Sequence, residues 1–100
     1  MLERDDAEKL AELFSALGSD TRIRILRELG EDVLCVGALA MRLELTQSAI
    51  SQHLTVLRNA GLVQSDKRGS FVHYTLTEDA LERCRGALGE VLTIPPREGE

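Results

Sequence analysis

Ser48, Ser51, Gln52, Thr55, Arg58 and Asn59 follow one another within a stretch, Thr46 to Gln64, that contains no carboxylate. Amides, hydroxyls and a guanidinium are the groups that pair with base edges and phosphate oxygens: Gln and Asn with adenine, Arg with guanine, Ser and Thr with either. Helical spacing, at about 100° per residue, gathers Ile50, Leu54 and Leu57 on one side of this stretch. Ser48, Gln52, Thr55 and Asn59 fall on the other, with Ser51 and Arg58 adjoining. An ordinary solvated helix face mixes glutamate with lysine, whereas a face that must approach phosphates excludes acids. Thr46 is a suitable N-cap, and the free N–H groups behind it suit a phosphate. Gln47 opens the first turn.

The elements around it follow from periodicity. Leu10, Leu13, Phe14 and Leu17 predict a first helix over Ala7 to Leu17, stopped at Gly18. Ser19 and Asp20 can cap a second helix, Thr21 to Leu29, that Gly30 ends. A third is predicted over Val33 to Leu43, and a fourth from Gln47 to Ala60 with Asn59-Ala60-Gly61 as its C-cap. The period then changes from 3.6 to 2. Leu62 to Lys67 and Phe71 to Leu76 read as a hairpin turning at Arg68-Gly69-Ser70. Thr77 is predicted to cap a last helix, with Glu78 and Asp79 in its first turn and Leu81, Cys84, Leu88 and Val91 on one stripe. Pro95-Pro96 should break it, and residues 1–6 and 93–100 are expected to fray. The expected fold is mainly α with a β-hairpin, in the order α-α-α-α-β-β-α, as one domain over residues 1–100.

Composition narrows the function. With 100 residues, 43% hydrophobic and 29% charged, the chain has the make-up of a small folded protein. The net charge of −5 hides its distribution. Residues 33–75 hold only Glu44 and Asp66 against Arg42, Arg58, Lys67 and Arg68, so the middle can face an anion while the ends stay acidic. No apolar run approaches the roughly 18 residues of a membrane span, and the acidic start is unlike a signal peptide; a cytosolic location is expected. An enzyme is not expected: there is no glycine-rich phosphate loop, no nucleophile elbow and no metal-binding His/Glu pair.

A helix, a short turn and then an acid-free helix is the helix-turn-helix arrangement. The hairpin tip, Lys67-Arg68-Gly69-Ser70, stands where a wing meets the flanking backbone. In three further runs the chain resembles the ArsR/SmtB winged-helix repressors. They are Leu13-Phe14-Ser15-Ala16-Leu17-Gly18-Ser19-Asp20-Thr21-Arg22-Ile23-Arg24-Ile25-Leu26, Thr46 through Leu54, and Arg58-Asn59-Ala60-Gly61-Leu62-Val63 with Phe71-Val72-His73-Tyr74. The resemblance spans about residues 10–92. It implies a winged helix-turn-helix homodimer that sits on a near-palindromic operator in double-stranded DNA and blocks transcription. The DNA-facing residues would be Thr46, Gln47, Ser48, Ser51, Gln52, Thr55, Arg58, Lys67 and Arg68. The first and last helices would form the dimer interface through Leu10, Leu13, Phe14, Leu17, Leu81, Leu88 and Val91. Those stripes carry more apolar surface than one small subunit is expected to cover. An acidic dimer also predicts steep salt dependence and feeble non-specific binding.

The resemblance raises an effector question. The arsenic-type site would need three cysteines on the third helix; Cys35 matches the first, while Gly37 and Ala40 stand at the other two. The zinc-type site on the last helix needs histidines, and Glu78 to Leu92 has none. The persulfide-sensing type wants a cysteine where Arg27 stands. Cys35 is therefore either a small apolar filler or a surviving ligand or redox thiol, the route by which arsenite, another soft metal or an oxidant would act. Cys84, on the apolar stripe, reads as packing. His53 reads as packing or a hydrogen bond beside Leu57, and His73 as a hairpin residue without a metal partner. The alternatives are a regulator answering to an organic ligand, or a winged helix that docks protein instead of DNA.

Overall fold

A computed structural model describes residues 2–93. In chain order the elements are α1 (Arg4–Leu17), α2 (Asp20–Leu29), β1 (Leu34–Cys35), α3 (Val36–Leu43), α4 (Gln47–Asn59), β2 (Val63–Arg68), β3 (Phe71–Leu76) and α5 (Ala80–Val91). The expected winged helix-turn-helix is present, with differences at element ends. Asp5 and Asp6 lie in the first turn of α1, where carboxylates suit the helix dipole, and the helix starts three residues before the predicted start at Ala7. Ser19 caps α2, its Oγ accepting from the Arg22 N–H at 3.3 Å. The predicted break at Pro95-Pro96 and the tail beyond it lie outside the described residues.

The third helix is shorter than predicted. Leu34 and Cys35 pair antiparallel with Tyr74 and His73, so the hairpin gains a third strand in the order β1-β3-β2. Two forces favour this. Val33 to Val36 is rich in residues that suit a pleated surface, and the outer edge of β3 would otherwise present unpaired backbone groups. Cys35 is thereby a strand residue and the N-cap of α3 rather than part of its helical face. The hairpin itself turns in two residues, since Arg68 pairs with Phe71. Gly69, with φ 62°, supplies the left-handed conformation such a loop requires.

The last helix also starts late. Its N-cap is Asp79, without a side-chain cap bond, and Thr77 does not cap it. The Thr77 hydroxyl donates instead to the Gly61 carbonyl at 2.8 Å, because that oxygen, just past the end of α4, lacks a helical partner.

One core joins the elements. Ile25 and Leu29 from α2, Leu34 from β1, Leu39 and Leu43 from α3, and Ile50, Leu54 and Leu57 from α4 are buried together with Leu62 and Val63. No polar or charged side chain is buried among the described residues. Arg42 stitches α3 to α2 at the surface, donating to Glu28 at 2.9 Å and Asp32 at 3.2 Å. Hydrogen bonding to Glu28, then to Asp32, holds its guanidinium pKa above the ordinary value. The pairs are solvated, so their contribution to stability is small.

The two apolar stripes assigned to a dimer separate in the structure. Leu13 is buried inside its own subunit, and Leu10, Phe14 and Leu17 pack half-buried against the core. Leu13 is therefore a core residue rather than a free interface residue: α1 must cover α2 before it can cover anything else. On α5 the stripe stays open, with Leu81 60%, Leu88 47% and Val91 49% exposed. No helix among the described residues is long and apolar enough to cross a membrane.

Candidate nucleic-acid interface

The α4 helix is built from its own caps and seated on its own apolar stripe. Thr46 Oγ1 accepts from the Ala49 N–H at 3.1 Å, fixing where the helix begins. Ile50, Leu54 and Leu57 are buried, as the wheel predicts, so the opposite face must point away from the core. Gln47, Ser48, Ser51, Gln52, Thr55 and Arg58 are all exposed on α4, together with Thr46 at its cap. Some of their hydrogen-bonding capacity is already used. The Thr55 hydroxyl donates to the Ser51 carbonyl at 3.0 Å, leaving its lone pairs outward. Gln47 reaches back toward α3, its amide nitrogen 3.6 Å from where a Cβ on Gly37 would stand. Ser48, Ser51 and Gln52 make no side-chain hydrogen bond among the described residues.

The turn before α4 is tight. Glu44 takes the left-handed conformation at φ 57°, and the Leu45 N–H donates to the Ala40 carbonyl at 3.0 Å, closing α3 so that α4 can start at once. This is the helix-turn-helix corner the spacing predicts.

Lys67 and Arg68 stand exposed at the end of β2, next to the hairpin loop. Arg58 ties α4 to this strand, Nη1 donating to Ser65 Oγ at 3.4 Å. Sequence reasoning missed that Arg68 pairs within its own strand: Nε lies 3.0 Å from an Asp66 carboxylate oxygen. Half of the charge assigned to phosphate is thus screened before any ligand arrives.

Three further residues that spacing did not reveal hold α4 in place. Arg22 donates from Nε to the Ala16 carbonyl at 2.7 Å and from Nη2 to the Ser15 carbonyl at 3.0 Å, capping α1. Its Nη1 lies 3.1 Å from His53 Nδ1 on α4. A guanidinium can only donate, so Nδ1 accepts and a neutral His53 carries its proton on Nε2. His53 is therefore the hydrogen-bonding flank residue that one reading anticipated. Thr77 and Arg83 close the other end of α4. All three act across 16 to 31 residues of chain, a range at which helical periodicity carries no signal.

The cysteines do not assemble a metal site. Both are free and half-buried. Cys84 lines an apolar hollow with Leu17, Leu26, Leu62, Leu76, Ala80 and Leu81, which agrees with packing. Cys35 lies opposite His73 in the sheet, with its Sγ near Gly37. His73 is half-buried overall, but its Nδ1 atom is shielded from solvent and has no hydrogen-bond partner among the described residues. No group of three or more His, Cys, Asp or Glu side chains among them is arranged to hold a metal ion. A soft metalloid needs more sulfur than one thiolate offers, so these residues do not fit arsenite.

Comparison with known proteins agrees with this geometry. Residues 19–65, from the cap of α2 into β2, match the pattern described as "Bacterial regulatory protein, arsR family". The nodulation protein NolR of Rhizobium meliloti is 37% identical over 89 residues, covering 89% of this chain and 73% of that protein. The structure of HlyU from Vibrio cholerae N16961 superposes with a TM-score of 0.72 at 38% identity, covering 93% of this chain and all of that one. An ArsR-like transcriptional regulator from Rhodococcus sp. RHA1 reaches a TM-score of 0.81 at 33% identity, covering 90% of this chain and 83% of that one. An acid-free helix on a helix-turn-helix, a basic wing and these relatives lead to one conclusion: the chain belongs to the ArsR family and is a DNA-binding transcriptional regulator, not an enzyme.

Proposed function

We propose that the protein is a cytoplasmic homodimeric repressor that places α4 of each subunit in the major groove of a near-palindromic operator. Gln52, Ser48, Ser51, Thr55 and Arg58 face the base edges. Thr46 and Gln47 meet the backbone at the helix start, and Lys67 and Arg68 meet it at the wing. The exposed Leu81, Leu88 and Val91 of α5, flanked by Leu10, Phe14 and Leu17 of α1, cover one another across the two-fold axis. That axis sets the recognition helices about 34 Å apart, one turn of DNA. A bound dimer denies the promoter to polymerase. The observation that carries this reading is the outer face of α4, where every exposed polar group can donate or accept and none is a carboxylate. Val56, 40% exposed, is its one large apolar side chain left open, and it lines a hollow against α1.

Two substitutions test the division of labour. Gln52→Ala is expected to cost roughly 1–3 kcal/mol on the cognate operator and little on random duplex, as measured by fluorescence anisotropy. Unchanged discrimination would place the base reader elsewhere. Arg68→Ala should weaken binding to every duplex alike and lower the slope of log K against log salt by less than about one. The reduction is less than a full charge because Asp66 already pairs with this side chain. A loss confined to the operator would contradict a phosphate role.

For the effector, Cys35 is the thiol through which a response to an oxidant would run, its backbone shared by sheet and recognition motif. Titrating the DNA complex with zinc, arsenite and an oxidant, beside Cys35→Ser, tests this. Release by oxidant that the serine variant loses supports it, and release that survives in the variant refutes it.

A further inference from the structure

The recognition helix is anchored at its C-terminal end by a residue that belongs to neither the helix-turn-helix nor the wing. The last carbonyls of a helix have no donor within it. Arg83, on α5, supplies two: Nη1 donates to the Gly61 carbonyl at 2.7 Å and Nη2 to the Ala60 carbonyl at 2.9 Å. Thr77 Oγ1 adds a third bond, to Gly61, at 2.8 Å, and the Thr77 N–H donates to the Leu62 carbonyl at 3.0 Å. Gly61 makes room for this. It holds φ at 76°, and a Cβ built on it would collide with Arg83 Nη1. A planar guanidinium bridging two successive carbonyls defines a direction as well as a distance. Its fixed charge also suits the negative end of the helix dipole.

We propose that Arg83 is a positioning residue for DNA recognition, setting the angle at which α4 presents Gln52, Thr55 and Arg58 by clamping Ala60 and Gly61 to α5. The proposal rests on the reading that α4 enters the major groove. It requires no contact between Arg83 and DNA. Gln52 lies eight residues from Ala60, about 12 Å along the helix, so a tilt of about 5° at the clamp displaces it by about 1 Å. Hydrogen bonds to base edges weaken steeply with such misalignment, whereas attraction to phosphate barely changes. Loss of the clamp therefore degrades discrimination and spares non-specific binding.

The test compares the affinity of the full chain for operator and for random duplex of equal length, across a salt series. Loss of folded protein lowers both affinities alike, so their ratio reports positioning rather than stability. Arg83→Ala is expected to lower the ratio about tenfold, similar to losing one good base contact, with the salt slope unchanged. Gly61→Ala, which pushes the guanidinium off its carbonyls without removing it, should lower the ratio in the same way. Arg83→Lys keeps charge and stem but loses the planar bridge, giving a variant that folds with a ratio between those of the parent chain and Arg83→Ala. An undiminished ratio in Arg83→Ala and Arg83→Lys overturns the proposal, as does a fall in salt slope, which would make Arg83 a phosphate contact. Gln52→Ala measured alongside separates the two claims. If it lowers the ratio and the Arg83 variants do not, only the clamp fails; if it too leaves the ratio intact, the placement of α4 fails and the clamp with it.

Discussion

Leu81→Asp combined with Leu88→Asp is expected to yield a folded monomer whose affinity for the full operator is lower by about 100-fold or more. Both side chains are substantially exposed in the single subunit, 60% and 47%, and neither belongs to the buried core, so the substitutions leave that core in place. In a dimer the same positions are desolvated, and an unpaired carboxylate buried there costs several kcal/mol. The effect on DNA follows from linkage of two half-sites. Once one recognition helix has docked, the second binds at an effective concentration in the millimolar range, and that gain vanishes with the dimer. Sedimentation should report a species near 11.0 kDa. Anisotropy with a single half-site should show affinity close to that of the parent chain. A variant that still sediments as a dimer would move the interface off α5.

The second large effect concerns stability. Leu57→Ala is expected to destabilise the fold by about 2–5 kcal/mol, because Leu57 is fully buried on the inner face of α4 and its loss leaves a cavity in the core. A domain of this size has roughly 5–15 kcal/mol in all. The midpoint of thermal unfolding should accordingly fall by at least about 10 °C. The comparison Ile50→Val, which removes one methylene equivalent from an equally buried site, should cost only about 0.5–1.5 kcal/mol. Ser51→Ala, on the exposed face of the same helix, should leave the midpoint nearly unchanged while affecting DNA binding. Melting curves at one fixed protein concentration make the comparison, since dimerisation shifts the midpoint with concentration. Equal losses at Leu57 and Ser51 would contradict the assignment of one face to the core and the other to DNA.

The buried face of α4 was legible from spacing alone. Ile50, Leu54 and Leu57 recur at helical intervals, and the caps Ser19 and Thr46 announce helix starts through hydrogen bonds that reach only three residues. The hairpin was equally plain, since alternation and Gly69 are local properties. Other features were not. The third helix loses its first residues to β1 because Leu34 and Cys35 find partners in β3 almost forty residues later. Thr77 looks like a helix cap in sequence and becomes a fastener for α4, since the carbonyl it meets is brought near only by folding. Asp66 and Arg68 are two apart, a spacing that puts their side chains on the same side of a strand, and this pair could have been found.

The amino-acid order by itself therefore determined the types of every element but β1, the acid-free outer face of α4, the basic wing and the family, because each is written in runs of neighbouring residues. Folding alone decided how that face is held and what remains open for a partner. Arg22 and Arg83 grip α4 from distant helices, and α1 turns Leu13 inward while α5 leaves Leu81 and Leu88 uncovered. Such pairings depend on which surfaces meet once the chain has collapsed, and no local period encodes that meeting.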